Sequence, residues 1–293
     1  MHPLRARLRP VLLVLLAVLP VLLVFASSAF GDAFTPESGG SRNADEIDSL
    51  YKIVLVVAVI VFLGVEGALF YSLFKFRARK GATAAQIHGN TRLEIGWTLG
   101  AALILVFLTV VTFLKLGPIQ NPENSGPDGL RLQAPVLTAS TKVIAPPDGK
   151  KLNICVTGRQ YIWRYTYAVD CNNAYGKPFA YEELTVPANT TVTLDIQSTD
   201  VAHSWWIPKL GGKFDALPGY HNYTWFKAPK PGVTYTGECA ELCGRNHANM
   251  TARVRVVSPA EYETFMQNLQ AGIAAANKNS SRLRDELKRA GQL

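Results

Sequence analysis

The chain has 293 residues, of which 48% are apolar, and it carries 30 basic against 22 acidic side chains, a formal net charge of +8. The apolar residues are concentrated in windows that hold almost no charge, which excludes a purely cytosolic globular protein. The basic residues cluster at the N-terminus, between two apolar windows and near the C-terminus. These positions explain the charge without nucleic-acid binding, so we expect no nucleic-acid partner.

The N-terminus has the layout of a secretory signal peptide. Three arginines precede the apolar window 11–26, and small residues follow it up to Gly31. This window is short for a membrane span, so we predict a cleaved signal peptide over residues 1–31. A third transmembrane helix or an uncleaved anchor is the alternative.

Two further apolar windows, 53–74 and 95–114, reach the roughly 20 residues that span a bilayer. They predict a two-helix transmembrane hairpin within residues 32–116, with helices over about 50–75 and 95–116. Basic side chains crowd the connection between the windows, and acidic ones precede the first window, which makes the connection cytoplasmic. The rest of the chain then lies on the extracytoplasmic side of a bacterial-type cell membrane, as part of a multi-pass protein in contact with lipid.

The remainder of the chain predicts an all-β domain and a helix. Residues 117–150 are rich in proline, glycine, asparagine and serine, which is typical of a linker. Over residues 151–257, short β-rich runs alternate with turn signals and predict a Greek-key β-sandwich or barrel. Ser258 and Glu261 form a capping-box pattern, which predicts a C-terminal helix with a polar tail over residues 258–293. The expected strands are 152–157, 161–169, 183–186, 190–197, 221–226, 233–237 and 252–257.

Metal-ligating side chains are concentrated in one short run of the β domain. Its potential ligands are Cys239, Cys243, His247 and Met250. Thiolate, imidazole and thioether are soft or borderline ligands that suit copper. His203, in a His-Ser-Trp-Trp sequence between two expected strands, offers a second imidazole. A cupredoxin draws one ligand from an earlier strand and the rest from the loop between its last two strands, so we expect a cupredoxin-like copper site at one end of the sandwich.

Other uses of these residues are open on spacing alone. An exported domain with four cysteines could hold two disulfides. A mononuclear blue-copper site needs only one cysteine, and a Cys2His2 zinc site leaves the thioether unused. Two copper ions bridged by both sulfurs use the whole set.

The motif Cys-x3-Cys-x3-His-x2-Met, with the upstream His-Ser-Trp, resembles that of subunit 2 of cytochrome c oxidase, over about residues 45–265. The resemblance implies a subunit that accepts electrons from cytochrome c at a binuclear copper A centre and passes them to haem in subunit 1. Oxygen reduction coupled to proton translocation then belongs to subunit 1, and this chain alone is not expected to reduce oxygen. Subunit 3 is a further expected partner. A copper A subunit of a nitric oxide reductase and a non-enzymatic copper-binding cupredoxin are the alternatives.

The resemblance also assigns roles to single residues. It implies that both cysteines of the motif bridge the two copper ions, and that a hard Mg2+ or Mn2+ ion, shared with subunit 1, faces the side chain of Glu241. The implied ligands are Cys239 and Cys243 for both ions, His203 and Met250 for one ion, and His247 with the backbone carbonyl of Glu241 for the other.

Three positions outside the ligand motif carry further expectations. Glu94, at the start of the second apolar window, resembles a glutamate at the mouth of a proton channel, although an ordinary interfacial carboxylate fits the sequence equally well. The family's Gly-x-Gln-Trp run is Gly-Arg-Gln-Tyr here, so Tyr161 takes the position where electrons enter. Trp163, two residues later, is a further candidate.

Cys155 and Cys171 flank this aromatic strand in an oxidising compartment without a ligand motif, which favours a disulfide over two buried thiols. The chain contains no Cys-x-x-Cys-His motif, so we expect no covalent haem.

Overall fold

The computed structural model describes residues 35–78, 81, 83, 86–122, 151–168, 171–174 and 176–292. The predicted signal peptide lies outside these residues, as does most of the predicted linker. The chain divides into two compact units. One is built on Asp48–Leu116, which we call the hairpin unit. The other combines Glu37–Ile47 with Gly117–Leu293, and we call it the head.

Two long helices contain the apolar windows. Helix α1 spans Arg42–Lys75 and α2 spans Thr91–Gln120, and both are long and apolar enough to cross a membrane. Many of their large apolar side chains are exposed, which suits helices that face lipid. The predicted pair of helices is confirmed. Both helices extend beyond the apolar windows into polar sequence. Once a helix exists, each added residue forms a further backbone hydrogen bond whether its side chain is apolar or polar.

The head is a sandwich of two five-stranded sheets, which confirms the predicted fold class. The first sheet has the strand order β3-β2-β1-β5-β8, and the second has the order β4-β10-β9-β6-β7. The pairs β1–β5 and β4–β10 are parallel, and the other pairs are antiparallel. The strands are β1 Lys151–Arg159, β2 Ile162–Tyr167, β3 Phe179–Tyr181, β4 Glu183–Pro187, β5 Thr191–Ser198, β6 His203–Trp206, β7 Phe214–Ala216, β8 Asn222–Phe226, β9 Val233–Cys239 and β10 Thr251–Val257.

The core lies between the two sheets and is rich in aromatic side chains. Trp163 and Tyr165 of β2, Trp205 of β6 and Phe226 of β8 are all fully buried. Burial of such a side chain contributes roughly 1.5–3 kcal/mol, so this core stabilises a domain of this size. It also provides a rigid support for the loops at each end of the sandwich.

Three strands were not anticipated from the sequence: β3, β6 and β7. Each has only three or four residues, which is too short for an alternating pattern to be recognised. Three of the four residues of β6 are buried, so this strand does not alternate at all. The correction matters for the site, because His203 is the first residue of a central strand and does not lie in a loop.

Residues Glu37–Ile47, which include the first residues of α1, are part of the head. The side-chain amide of Asn43 donates to the carbonyl of Trp225 at 2.8 Å, and the backbone N–H of Lys227 donates to the hydroxyl of Ser41 at 3.0 Å. The indole N–H of Trp225 donates to the carbonyl of Ile119, at the end of α2, at 3.1 Å. Residues that precede and residues that follow the hairpin unit in the chain therefore both contact Trp225.

Helix α3, Pro259–Arg289, follows the last strand. Ser258 and Glu261 form the capping box that the sequence predicted. The first turns pack on the sandwich through Tyr262, Phe265, Met266 and Leu269. The predicted C-terminal helix is confirmed. It is longer than expected, because the basic run assigned to a polar tail is also helical.

Candidate metal centre

The candidate ligands lie in the connection between β9 and β10, residues 239–250, which we call the ligand loop. The N–H of Cys239 donates to the carbonyl of Met250 at 2.9 Å, so the loop closes on itself. The N–H of Ala240 donates to the carbonyl of Ser204 in β6 at 2.8 Å. This bond joins the start of the loop to the strand that begins with His203.

All the donor atoms anticipated from the sequence meet at this end of the sandwich. The two cysteine sulfurs are 3.9 Å apart. The remaining distances are 3.8 Å from Cys239 Sγ to His203 Nδ1, 3.6 Å from Cys243 Sγ to His247 Nδ1, 3.9 Å from Cys243 Sγ to Met250 Sδ, and 3.3 Å from Cys239 Sγ to the carbonyl oxygen of Glu241. The side chains of His203, Cys239, Cys243 and Met250 are buried, and that of His247 is half-buried.

This donor set fits a soft metal ion. Cys239 and Cys243 are both free thiols, so the structure gives no support to a disulfide between them. Metal–sulfur bonds are about 2.3 Å long, and sulfurs 3.9 Å apart can both reach an ion seated between them. Within the described residues, one cluster with metal-binding geometry is found, and it consists of His203 and these two cysteines. Two thiols, two imidazoles, a thioether and a carbonyl exceed what one tetrahedral ion needs.

The thiols of the metal-free site differ in acidity. Burial raises the pKa of Cys239, but hydrogen bonds with His203 and with the backbone at Glu241 and Ser204 outweigh it and lower the pKa to about 6. Burial and the negative charge of Cys239 raise the pKa of Cys243 to about 11. One thiolate is therefore present near neutral pH, and this form of cysteine binds metals.

His203 is oriented by a carboxylate. Its Nε2 lies 2.9 Å from Oδ1 of Asp200, while its Nδ1 faces Cys239. Burial alone would raise the pKa of Asp200, but N–H groups of Gln160 and Val201, together with His203, lower it to about 2. The ionised carboxylate accepts a hydrogen bond from Nε2–H, which leaves the unprotonated Nδ1 as the ligand atom. Sequence reasoning missed this role, although a carboxylate three residues before a candidate ligand histidine could have indicated it.

The aromatic residues of the β1–β2 hairpin occupy different environments. Tyr161, at the turn, is half-buried against the ligand loop. Trp163 is fully buried and meets the His203 ring edge-on, with 5.9 Å between ring centroids. A Cβ on Gly158 would lie 3.0 Å from both Trp163 and His203, so a glycine here allows the two rings to approach. Trp163 therefore cannot contact a docked protein directly, whereas Tyr161 borders the solvent.

The remaining candidates are separate from the donor cluster. Glu94 is exposed in the first turn of α2, where its carboxylate accepts from the N–H of Asn90 at 3.2 Å, a helix-capping contact. The side chain of Glu241 is exposed, whereas its carbonyl oxygen is one of the clustered donors. Cys155 and Cys171 form a disulfide with a Cα–Cα distance of 5.5 Å.

Comparisons with known proteins agree on one family. Residues 27–115 match the model described as cytochrome c oxidase subunit II, transmembrane domain, and residues 179–257 match its periplasmic domain. A cytochrome c oxidase subunit 2 from Thermostichus vulcanus is 33% identical over 261 residues, covering 79% of this chain and 77% of the relative. One from Alkalihalophilus pseudofirmus is 32% identical over 221 residues, or 75% of this chain, which spans only 57% of that relative.

A solved structure is also similar to part of the chain. It is the crystal structure of the periplasmic domain of subunit II of the cytochrome oxidase of Bradyrhizobium japonicum. The sequence identity is 33%, and the match covers 41% of this chain and 94% of that one, with a TM-score of 0.38.

Proposed function

Because the chain belongs to the cytochrome c oxidase subunit II family, a component of an oxidoreductase complex with membrane helices and a periplasmic domain, we propose that it receives electrons for a haem-copper terminal oxidase. The observation that carries this proposal is the convergence of two free thiols, two imidazoles, a thioether and a carbonyl at one end of the head. A binuclear copper A centre would use all six donors and would supply one-electron transfer.

Each ligand has a defined part in this proposal. Cys239 and Cys243 would hold both copper ions, and the low pKa of Cys239 favours the thiolate, the form that binds metals. His203 and Met250 would bind one ion, and His247 with the carbonyl of Glu241 would bind the other. The β-sandwich fixes His203, Cys239 and Met250 through strand residues or strand ends, and this rigidity limits rearrangement when the charge of the site changes.

The partners follow from the same assignment. Cytochrome c delivers electrons at Tyr161, which borders both solvent and the ligand loop. Trp163, two residues later in the same hairpin, contacts the ring of His203. Subunit 1 accepts the electrons at its haem and carries out oxygen reduction and proton translocation, with subunit 3 as a further partner. The exposed side chain of Glu241 would be a ligand for Mg2+ or Mn2+, with subunit 1 supplying the other ligands.

Glu94 serves at the mouth of a proton channel in this proposal. Its exposed position at the start of α2 is compatible with that role, and its bond to Asn90 also fits a purely structural one. Replacement by glutamine preserves the cap acceptor but removes the titratable group. Lower oxidase turnover in Glu94→Gln, with normal reduction of the copper centre, would support the channel role, and unchanged turnover would reject it.

Copper content and electron paramagnetic resonance test the proposed function directly. The full chain, purified in detergent and loaded with copper, should bind two ions that share one unpaired electron. A single copper with the spectrum of a blue site would contradict the proposal. Co-purification with a haem-bearing subunit distinguishes an oxidase component from a free copper-binding protein.

A further inference from the structure

The ligand loop is held firmly at its ends and lightly in its middle. Backbone hydrogen bonds from Cys239 and Ala240 fix the ends. Between Glu241 and Asn249, one hydrogen bond reaches a residue outside the loop, within the part of the chain that the structure describes. In that bond the side-chain amide of Gln160 donates to the carbonyl oxygen of Cys243 at 2.7 Å.

The geometry of this contact is well defined. A carbonyl oxygen can only accept, so the side chain of Gln160 must present its NH2 group. The adjacent Gly244 has a φ of +129°, and a Cβ there would lie 2.7 Å from the hydroxyl of Tyr161 and 3.0 Å from the amide nitrogen of Gln160. A glycine at this position therefore lets the hairpin turn pack against the peptide between Cys243 and Gly244.

Gln160 is itself held from the other side. Its backbone N–H donates to Oδ2 of Asp200 at 2.7 Å, while Oδ1 of the same carboxylate binds Nε2 of His203. A continuous path of hydrogen bonds therefore runs from the Cys243 carbonyl through Gln160 and Asp200 to His203. It joins the loop to the strand that carries the distant histidine.

We propose that Gln160 is a positioning residue that holds Cys243 in place for metal binding before any ion arrives. This role of Gln160 depends on the proposed copper centre. The hydrogen bond fixes the backbone at Cys243, so the thiol faces Cys239 and Met250 and the loop does not open into solvent. Loss of one such bond should increase transient opening of the loop about fivefold.

Two substitutions separate the hydrogen bond from simple packing. Gln160→Leu removes the donor and leaves a side chain of similar bulk. Gln160→Glu preserves the shape, but its carboxylate cannot donate to the carbonyl. Gln267→Leu, on an exposed face of α3, serves as the matched control. The measurements are amide hydrogen exchange of residues 240–250 in the metal-free full chain, and the half-life of copper release to a copper(I) chelator in the loaded full chain.

We expect exchange in the loop and copper release to be about fivefold faster in Gln160→Leu, and at least as fast in Gln160→Glu, with the control unchanged. If Gln160→Glu behaves like the native chain while Gln160→Leu does not, packing explains the contact and the proposal is wrong. Native rates in both variants would also overturn it. A native chain that fails to hold two coppers would refute the proposed function instead, and the exchange rates of the metal-free chain would still decide the role of Gln160.

Discussion

The head contains two pairs of cysteines that come close together with different outcomes. Cys155 and Cys171 join β1 to a short 3-10 turn as a disulfide, whereas Cys239 and Cys243 are free thiols 3.9 Å apart. The second pair lies beside imidazole, thioether and carbonyl donors. Among the described residues, the cluster with metal-binding geometry includes the second pair and not the first. In the proposed copper centre, these neighbouring donors make the second pair ligands, whereas the first pair serves as a cross-link.

The largest expected effect is that of Cys243→Ser. A hydroxyl is a hard donor that binds Cu(I) poorly, so replacing a bridging thiolate should reduce the copper content to one ion or none. The spectrum of the shared unpaired electron should disappear. Copper analysis and electron paramagnetic resonance of the full chain measure both effects. Retention of two coppers with an unaltered spectrum would show that Cys243 is not a bridging ligand.

The double substitution Cys155→Ala and Cys171→Ala should lower the stability of the head and leave its copper content unchanged. A cross-link over a sequence separation of 16 stabilises the folded state by roughly 3 kcal/mol, so its loss should lower the melting temperature by roughly 6–12 °C. Copper content should remain at the native value, because neither sulfur lies in the donor cluster. Circular dichroism melting and metal analysis test the two halves of this prediction. Loss of copper at a native melting temperature would contradict the prediction, because it would mean that Cys155 and Cys171 serve metal binding and not stability.

Met250→Leu should alter the copper site around the second pair without abolishing copper binding. Met250 is fully buried, and leucine has nearly the same volume, so the cost in folding stability should stay below about 1.5 kcal/mol. A thioether is a weak ligand whose main influence is on the reduction potential. We expect copper to be retained with a shifted potential in a redox titration. An unchanged potential would remove Met250 from the ligand set.

The smallest change to the site itself is expected from Tyr161→Ala. Loss of a central aromatic contact typically weakens a protein interface by a few kcal/mol, so reduction by cytochrome c should slow by roughly tenfold or more at limiting donor. The copper spectrum and both cysteine pairs should be unaffected. Stopped-flow reduction measures the rate, and Tyr161→Phe is the control that keeps the ring. Native rates in Tyr161→Ala would mean that electrons enter elsewhere.

The membrane helices and the candidate donors that come together in the head could be predicted from the sequence because each depends on local information. A span requires an uninterrupted apolar window, and the copper motif places four of its donors within one short run. His203 was recognised as a ligand candidate, but its strand was not, since β6 is short and mostly buried. The carbonyl of Glu241 is invisible to any argument from side-chain type, and only the family resemblance suggested it.

The contacts that hold the site together depend on residues far apart in the chain. Gln160 and Cys243 are separated by 83 positions, and no local pattern connects an amide in a turn with a distant carbonyl. The polar residues Ser41 and Asn43, at the start of α1, likewise resemble an ordinary flank of a membrane span. Their packing on β8 arises from tertiary structure, which local propensity does not encode.

The contact between Asn43 and Trp225 has a consequence for the order of events during biosynthesis. The two residues are 182 positions apart, and at roughly 5–20 residues per second the ribosome takes roughly 10–40 seconds to make the second after the first. During this interval the amide of Asn43 has no indole-bearing strand to bind, and the intervening membrane helices must be inserted. The contact between Asn43 and Trp225 therefore forms only after both membrane helices and most strands of the sandwich have been synthesised.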